Sequence, residues 1–123
     1  MKIRVYYEDT DAGGIVYHTN YIKYCERARS ELFFAQDMSP VLGENSGFVV
    51  RKIEADFLGS ATLGDLLEVR SGLIELKRSS ATLRQEVFRE DEKLFGMQIL
   101  LVYMSEGRIT RIPEDFRSLF DLL

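Results

Sequence analysis

The chain has 123 residues, 46% of them hydrophobic, and a formal net charge of −4 at pH 7, which fits one packed domain over residues 1–123. The acidic balance argues against a nucleic-acid-binding protein. The longest apolar run, residues 99–104, falls far short of the roughly 20 residues that insert across a membrane. The one cysteine, Cys25, excludes an intrachain disulfide, so we expect a cytoplasmic protein.

The first half of the chain predicts a strand, a turn and a long helix. Apolar side chains alternate over residues 2–8, which is typical of a strand. The helix is predicted over residues 20–36, with Thr19 or Asn20 as the N-cap and an end before Pro40. One face of this helix is apolar at three- and four-residue spacing, and its positions are Tyr21, Tyr24, Cys25, Ala28, Leu32 and Ala35.

The second half predicts four strands and a short helix. The strands, which alternate or are apolar throughout, are residues 52–57, 67–76, 79–89 and 94–104. A change of phase near Ser71 and Gly72 predicts a bulge, and Pro113 is placed to begin the short helix. Short links favour an antiparallel meander. Because the long helix has one sheet to pack against, we expect an α+β fold in which a twisted sheet curls around that helix.

Residues that are able to take part in catalysis cluster in the turn before the long helix. Asp11 and His18 lie seven positions apart, with Gly13 and Gly14 between them. A helix N-terminus carries unpaired N–H groups and about half a positive charge, which suits a developing oxyanion. A carboxylate there is ionised at neutral pH and can act as nucleophile or general base. The histidine can orient water or protonate a leaving group.

The same residues have structural interpretations, which the pattern alone leaves open. Asp11 suits an Asx turn, His18 a helix start that bonds the backbone, and the glycines positions of positive φ. A calcium loop counted from Asp9 fails, because its fifth and twelfth positions are Gly13 and Asn20. One histidine and one cysteine do not make a zinc site, so no metal or redox cofactor is expected. Cys25 is expected to be a small core residue.

Residues 5–21 (VYYEDTDAGGIVYHTNY) and 26–29 (ERAR) closely resemble the signature of the hotdog-fold thioesterases. The closer resemblance is to the 4-hydroxybenzoyl-CoA thioesterase family, in its Tol–Pal-associated acyl-CoA thioesterase branch. It implies a hotdog fold, in which a five-stranded antiparallel sheet wraps a long central helix. It also implies a homodimer or homotetramer with active sites at the subunit interface. The implied reaction is hydrolysis of an acyl-CoA or acyl carrier protein thioester to free acid and thiol.

The resemblance also assigns roles to single residues. The catalytic aspartate falls on Asp11, as nucleophile or general base, and the assisting histidine falls on His18. The backbone amide that polarises the carbonyl falls near Tyr17 and His18. Independently of the resemblance, Gly13 and Gly14 could let a substrate approach the backbone closely, which is compatible with their permitting positive φ.

A second basic segment, Lys77, Arg78 and Ser79, resembles the strand end that contacts the nucleotide phosphates of coenzyme A. A solvated charge pair is an equally open interpretation of these residues. The alternative function is a non-catalytic hotdog module that binds acyl-CoA or acyl carrier protein. Such a module would keep the pocket without needing Asp11.

Overall fold

The computed structural model describes residues 1–41 and 43–123, and its architecture is α+β. Within these residues one antiparallel sheet of six strands is accompanied by two α-helices. The elements in chain order are β1 (Lys2–Arg4), a 3-10 helix (Tyr7–Asp9), α1 (His18–Phe34), β2 (Ser46–Phe57), β3 (Leu66–Leu76), β4 (Ser80–Arg89), β5 (Glu92–Ser105), β6 (Arg108–Ile109) and α2 (Glu114–Phe120). No described helix is both long and apolar enough to be a membrane span.

The sheet and α1 share one hydrophobic core, as the helical stripe predicts. Tyr21, Tyr24, Cys25 and Ala28 are buried and belong to the same cluster as the inward side chains of the strands. The predicted α+β fold, a sheet around a long central helix, is therefore confirmed. Among the described residues, the one strand beyond the predicted five is the two-residue β6, which pairs with the end of β5.

The entry to α1 differs from the prediction. The helix begins at His18, and its N-cap, Tyr17, makes no capping hydrogen bond with its side chain. The proposed caps Thr19 and Asn20 are both inside the helix, so that expectation was wrong. The Asn20 side-chain amide instead donates to the backbone oxygen of Asp9 at 2.7 Å. This bond ties α1 to the preceding loop, but because Asn20 is the donor it does not cap the free N–H groups of the helix start.

The order of strands across the sheet, β1-β3-β4-β5-β2, is not a simple meander. β2 pairs with β5 and forms an edge, whereas the prediction placed β2 beside β3. The link between them, residues 58–65, is held at the start of α1. The oxygen of Ala61 accepts the N–H of Val16 at 2.9 Å, and the Ala61 N–H donates to the Tyr21 hydroxyl at 2.9 Å. The chain therefore crosses the end of the sheet instead of turning back in a hairpin.

Irregular strand pairing explains why the start of β2 and the position of the bulge in β3 differ from the prediction. β2 begins well before the predicted residue 52, because its pairing shifts between Val50 and Lys52 and interrupts the alternation. In β3 the shift lies between Leu73 and Glu75, just after the predicted position. The central placement predicted for β5 is confirmed, since it pairs with β4 on one side and β2 on the other.

Candidate active site

Residues 10–16 form a tight hairpin that presents Asp11. Thr10 and Val16 form an antiparallel bridge, and the Asp11 N–H donates to the oxygen of Ile15 at 2.8 Å. The N–H of Gly14 donates back to the oxygen of Asp11 at 3.0 Å. Gly14 has a φ of +83°, a conformation that favours glycine over residues with a Cβ. The hairpin is thus defined by its own backbone hydrogen bonds.

The Asp11 side chain is exposed and held by one contact. Its Oδ1 accepts the N–H of Gly13 at 2.8 Å, which is the Asx turn that the sequence also allowed. Among the described residues, Oδ2 has no hydrogen-bond partner. The turn therefore fixes the side chain through one oxygen and leaves the other directed to solvent in the single chain. A cleft of about 260 Å³ lies elsewhere, near Phe33 and Phe48 between α1, β2 and α2.

The first free amide of α1 belongs to His18. The N–H of Tyr17, one of the two amides predicted to polarise a carbonyl, donates to the oxygen of Asp9 at 2.9 Å. The N–H of Asn20 donates to the oxygen of Tyr17 at 2.8 Å. Within the described chain the amides of His18 and Thr19 have no acceptor, as is usual for a first helical turn. These two donors stand at the positive end of the helix dipole.

The imidazole of His18 lies in an aromatic patch beside the sheet edge. Its ring centroid is 4.6 Å from that of Tyr17 and 5.9 Å, edge to face, from that of Phe57. Phe57 is the last residue of β2 and packs against the buried Phe95 at 5.1 Å. All three side chains of the patch are at least partly exposed. No hydrogen bond among the described residues joins His18 to Asp11, so the two are brought to one junction but not into contact.

Two buried polar residues, Asp9 and Asn20, organise this junction and were missed as candidates in the sequence. Asp9 is only 6% exposed, and its Oδ2 accepts the N–H of Tyr6 at 2.9 Å. Its backbone oxygen accepts both the Tyr17 N–H and the Asn20 side chain. A carboxylate three residues after the N-cap, as Asp9 is after Tyr6, is the acceptor half of a capping box. This spacing was the sequence signal that could have identified Asp9.

Burial sets the protonation of the neighbouring core groups. It raises the pKa of the Cys25 thiol to about 12, so this thiol stays protonated and unreactive at neutral pH. Burial, and then the charge of Asp9, raise the pKa of the Tyr24 hydroxyl. In the described part of the chain, no three His, Cys, Asp or Glu side chains are grouped to hold a metal ion.

The basic segment Lys77–Arg78–Ser79 forms the turn between β3 and β4, in which Lys77 and Arg78 are exposed and Ser79 is half-buried. Arg117 of α2 donates to the backbone oxygens of Lys77 at 2.9 Å and Arg78 at 3.4 Å, which adds a third cation that the sequence did not indicate. The Lys77 ammonium lies 3.7 Å from the carboxylate of Glu75, a solvent-exposed pair of little energetic weight.

Within a single subunit, the basic turn and the Asp11 hairpin lie at opposite ends of the sheet. Residue Thr62, just before β3, bridges Ile15 of the hairpin, whereas Lys77 follows the far end of the same strand. An 11-residue strand at about 3.3 Å per residue separates them by roughly 35 Å. A single subunit therefore does not bring these two groups of predicted site residues together.

Comparison with known proteins gives consistent matches. The family profile described as the thioesterase superfamily matches residues 13–95. A Helicobacter pylori protein named acyl-CoA thioesterase YbgC is 49% identical, over 97% of each chain. The crystal structure of the hypothetical protein AQ1494 from Aquifex aeolicus superposes with a TM-score of 0.91 at 27% identity, over 98% of this chain and 97% of that one. A Thermus thermophilus thioesterase complexed with coenzyme A and Zn superposes at 0.84 with 30% identity, over 99% and 90%.

Proposed function

The chain belongs to the thioesterase superfamily, and from that membership we propose that it hydrolyses acyl-coenzyme A thioesters to the free acid and coenzyme A. The observation that carries the proposal is the 49% identity, over nearly the full length, to a relative named as an acyl-CoA thioesterase. The signature hairpin of residues 10–16, with its exposed carboxylate beside a helix start, gives the proposal its chemistry.

The proposed mechanism uses Asp11 and the start of α1. The thioester carbonyl accepts a hydrogen bond from the free His18 N–H, where the helix dipole favours the negative charge that develops on oxygen. The free carboxylate oxygen of Asp11 either attacks the carbonyl carbon or removes a proton from an attacking water. The C–S bond then breaks and the sulfur leaves as a thiolate. Because thiols have a pKa near 8.5, this leaving group needs only modest help, which His18 supplies as a proton donor. Where Asp11 itself has attacked, water then hydrolyses the acyl–Asp11 anhydride, which releases the acid and restores the carboxylate.

We propose that the active enzyme is a homodimer joined along β2, or a homotetramer built from two such dimers. This 12-residue strand is an edge, and it exposes Val49, Val50 and Phe57. A long apolar edge left unpaired is an aggregation hazard, so pairing with a second copy is the economical solution. Antiparallel pairing of two β2 strands would set the start of one beside the end of the other. The aromatic patch around His18 would then face the partner and be screened from water.

The same pairing would reunite the two halves of the predicted site. The Lys77–Arg78–Ser79 turn lies at the end of the sheet where β2 begins, since Ser46 pairs with Ser105 and Val102 with Ser80. In the antiparallel dimer this turn of one copy would approach the Asp11 hairpin of the other. We propose that the turn, with Arg117, binds the phosphates of coenzyme A, or the phosphopantetheine of acyl carrier protein.

Thioester hydrolysis followed by release of free thiol tests the proposal. Acyl-CoA substrates of short, long and aromatic acyl groups, and the matching acyl carrier protein thioesters, establish the class. Replacing Lys77 and Arg78 by Ala should raise KM for acyl-CoA and leave KM for an acyl-pantetheine thioester, which lacks the nucleotide phosphates, unchanged. The exposed Lys23→Ala variant is the charge control. Binding without turnover across the whole panel would contradict hydrolysis and favour the binding-module alternative.

Two further expectations belong to this proposal. Light scattering should give a particle of at least twice the 14.2 kDa chain mass, and an active particle of one chain mass would contradict the shared site.

Because the sole cysteine is a buried, unpaired thiol, we also propose that the enzyme works in the reducing cytoplasm. Fractionation of cells expressing the chain tests that location.

A further inference from the structure

Asp9 is the buried acidic residue of the described chain, and the mechanism above gives it no role. A carboxylate removed from water is costly unless hydrogen bonds replace its hydration. Here Oδ2 accepts the N–H of Tyr6 at 2.9 Å and closes the 3-10 helix that ends at Asp9 itself. The side chain thus fixes the backbone on the side of the junction that precedes the Asp11 hairpin.

The backbone of the same residue fixes the other side. Its carbonyl oxygen accepts the Tyr17 N–H at 2.9 Å and the Asn20 side-chain amide at 2.7 Å, both from the beginning of α1. Asp11 follows only two residues later, and the hairpin closes at the bridge from Thr10 to Val16. Asp9 is therefore hydrogen-bonded on both sides. Its side chain bonds Tyr6 at the start of the 3-10 helix that leads into the hairpin, and its backbone oxygen bonds the beginning of α1, which carries the free amides.

We infer that Asp9 is a positioning residue, which sets the placement of the Asp11 carboxylate relative to the His18 amide. The inference rests on the proposed function, because it takes Asp11 as the group that acts on the thioester. Occupying the Tyr17 N–H is part of the same role, since it leaves the His18 N–H as the first donor available to a substrate oxygen. Without the Asp9 carboxylate the Tyr6 N–H loses its acceptor and the 3-10 helix loosens.

The expected effect falls on turnover rather than on binding. A misplacement of about 1 Å between reacting groups costs about 10²-fold in rate. Asp9→Ala should therefore lower kcat by about 10- to 10²-fold and change KM by less than about threefold. Asp9→Asn keeps an oxygen that accepts the Tyr6 N–H, and should recover most of the lost rate. Asn20→Ala removes a donor from the Asp9 carbonyl and should also lower kcat, which gives a second test if Asp9→Ala folds poorly.

Cys25→Ala is the matched control for disturbance of the same core region. The Cys25 side chain is buried in the same core and takes no part in the hydrogen bonds of Asp9 to Tyr6, Tyr17 and Asn20. Wild-type kcat is expected in Cys25→Ala, with all rates expressed per folded molecule from circular dichroism.

A double-variant cycle separates positioning from simple loss of fold. If Asp9 acts through Asp11, then Asp9→Ala should not slow the residual reaction of Asp11→Asn any further. A wild-type kcat in Asp9→Ala and Asn20→Ala, beside an inactive Asp11→Asn, would overturn the positioning role alone. So would an additional slowing in the double variant. A wild-type rate in Asp11→Asn would instead contradict the proposed role of Asp11, and the role of Asp9 with it.

Discussion

The Gly13→Ala substitution tests the geometry of the candidate site separately from the stability of the fold. A Cβ built on Gly13 would lie 3.2 Å from Oδ1 of Asp11, tighter than nine in ten real Cβ contacts. The φ of Gly13 is not positive, so alanine is compatible with the backbone there. Gly13→Ala should therefore displace the Asp11 carboxylate by a few tenths of an ångström without straining the hairpin.

The expected magnitude follows from that displacement. If about 1 Å costs about 10²-fold in rate, a shift of about 0.3–0.5 Å corresponds to a four- to tenfold loss of kcat. The free energy of unfolding should stay within about 0.5 kcal/mol of wild type or rise slightly, because alanine restricts the unfolded chain. Steady-state thiol release and urea unfolding measure the two quantities.

Two alanine variants elsewhere in the chain control for the substitution itself. Gly72→Ala adds a methyl group in open space at an ordinary φ, and should change neither quantity by much. Gly107→Ala meets no atom but has a φ of +76°, so it should lose about 1 kcal/mol of stability and keep its kcat. A Gly13→Ala enzyme with wild-type kcat, or one whose rate falls only in proportion to its stability, would refute the reasoning.

Three further predictions concern single side chains. His18→Ala should lower kcat, but by less than the roughly 10²- to 10⁴-fold expected for removal of the Asp11 carboxylate, because a thiolate needs little help to leave. An unchanged pH–rate profile would remove the imidazole from the mechanism. The Thr62 N–H and Arg89 lower the pKa of Asp65 below its ordinary 3.8, so its stabilising effect is complete above that pH and is lost as the pH falls through the lower folded value. Asp65→Asn should thus be less stable than wild type at pH 7 in urea unfolding, and the gap should narrow as the pH falls below 3.8; a gap that stays constant or widens as the pH falls would contradict this assignment. Iodoacetamide at pH 8 should label native Cys25 at least about 10²-fold more slowly than the unfolded chain, since burial raises the thiol pKa to about 12, and rapid native labelling would show that the thiol is accessible.

Side-chain periodicity was sufficient to predict the helix and the first part of its buried face, but it missed Phe33, which is buried where Leu32 is only half-buried. The three- and four-residue spacing identified Tyr21, Tyr24, Cys25 and Ala28 correctly, because burial against a single sheet demands that pattern. Ala35 is exposed, because α1 ends at Phe34.

Features that depend on contacts distant in sequence could not be predicted in this way. β2 lies beside β5 because the 58–65 link is tied to Val16 and Tyr21, and no local pattern records that attachment. Alternation failed in β2 because an irregularity near Arg51 changes the phase of the strand. The helix start was missed because no side chain caps it, and Asn20 instead donates to the backbone of the preceding loop.

The sequence named the residues of the candidate site, whose roles stay predictions, but it did not give their geometry. The signature from residue 5 to residue 21 named Asp11 and His18, yet it did not distinguish the Tyr17 amide, which Asp9 occupies, from the His18 amide, which is free. The burial of Asp9 was likewise hidden, since three acidic residues stand within four positions and only tertiary packing separates them. The distance between the Lys77 turn and Asp11 became apparent only from strand order.

Turnover of acyl-CoA by the Asp11→Asn enzyme tests the central claim most directly. Asparagine keeps an oxygen that accepts the Gly13 N–H, so the hairpin and the melting temperature should be preserved while the nucleophilic or basic carboxylate is lost. We expect kcat to fall by about 10²- to 10⁴-fold with an unchanged circular dichroism spectrum. Turnover within threefold of the wild-type rate, in a protein of the same fold and stability, would contradict the account.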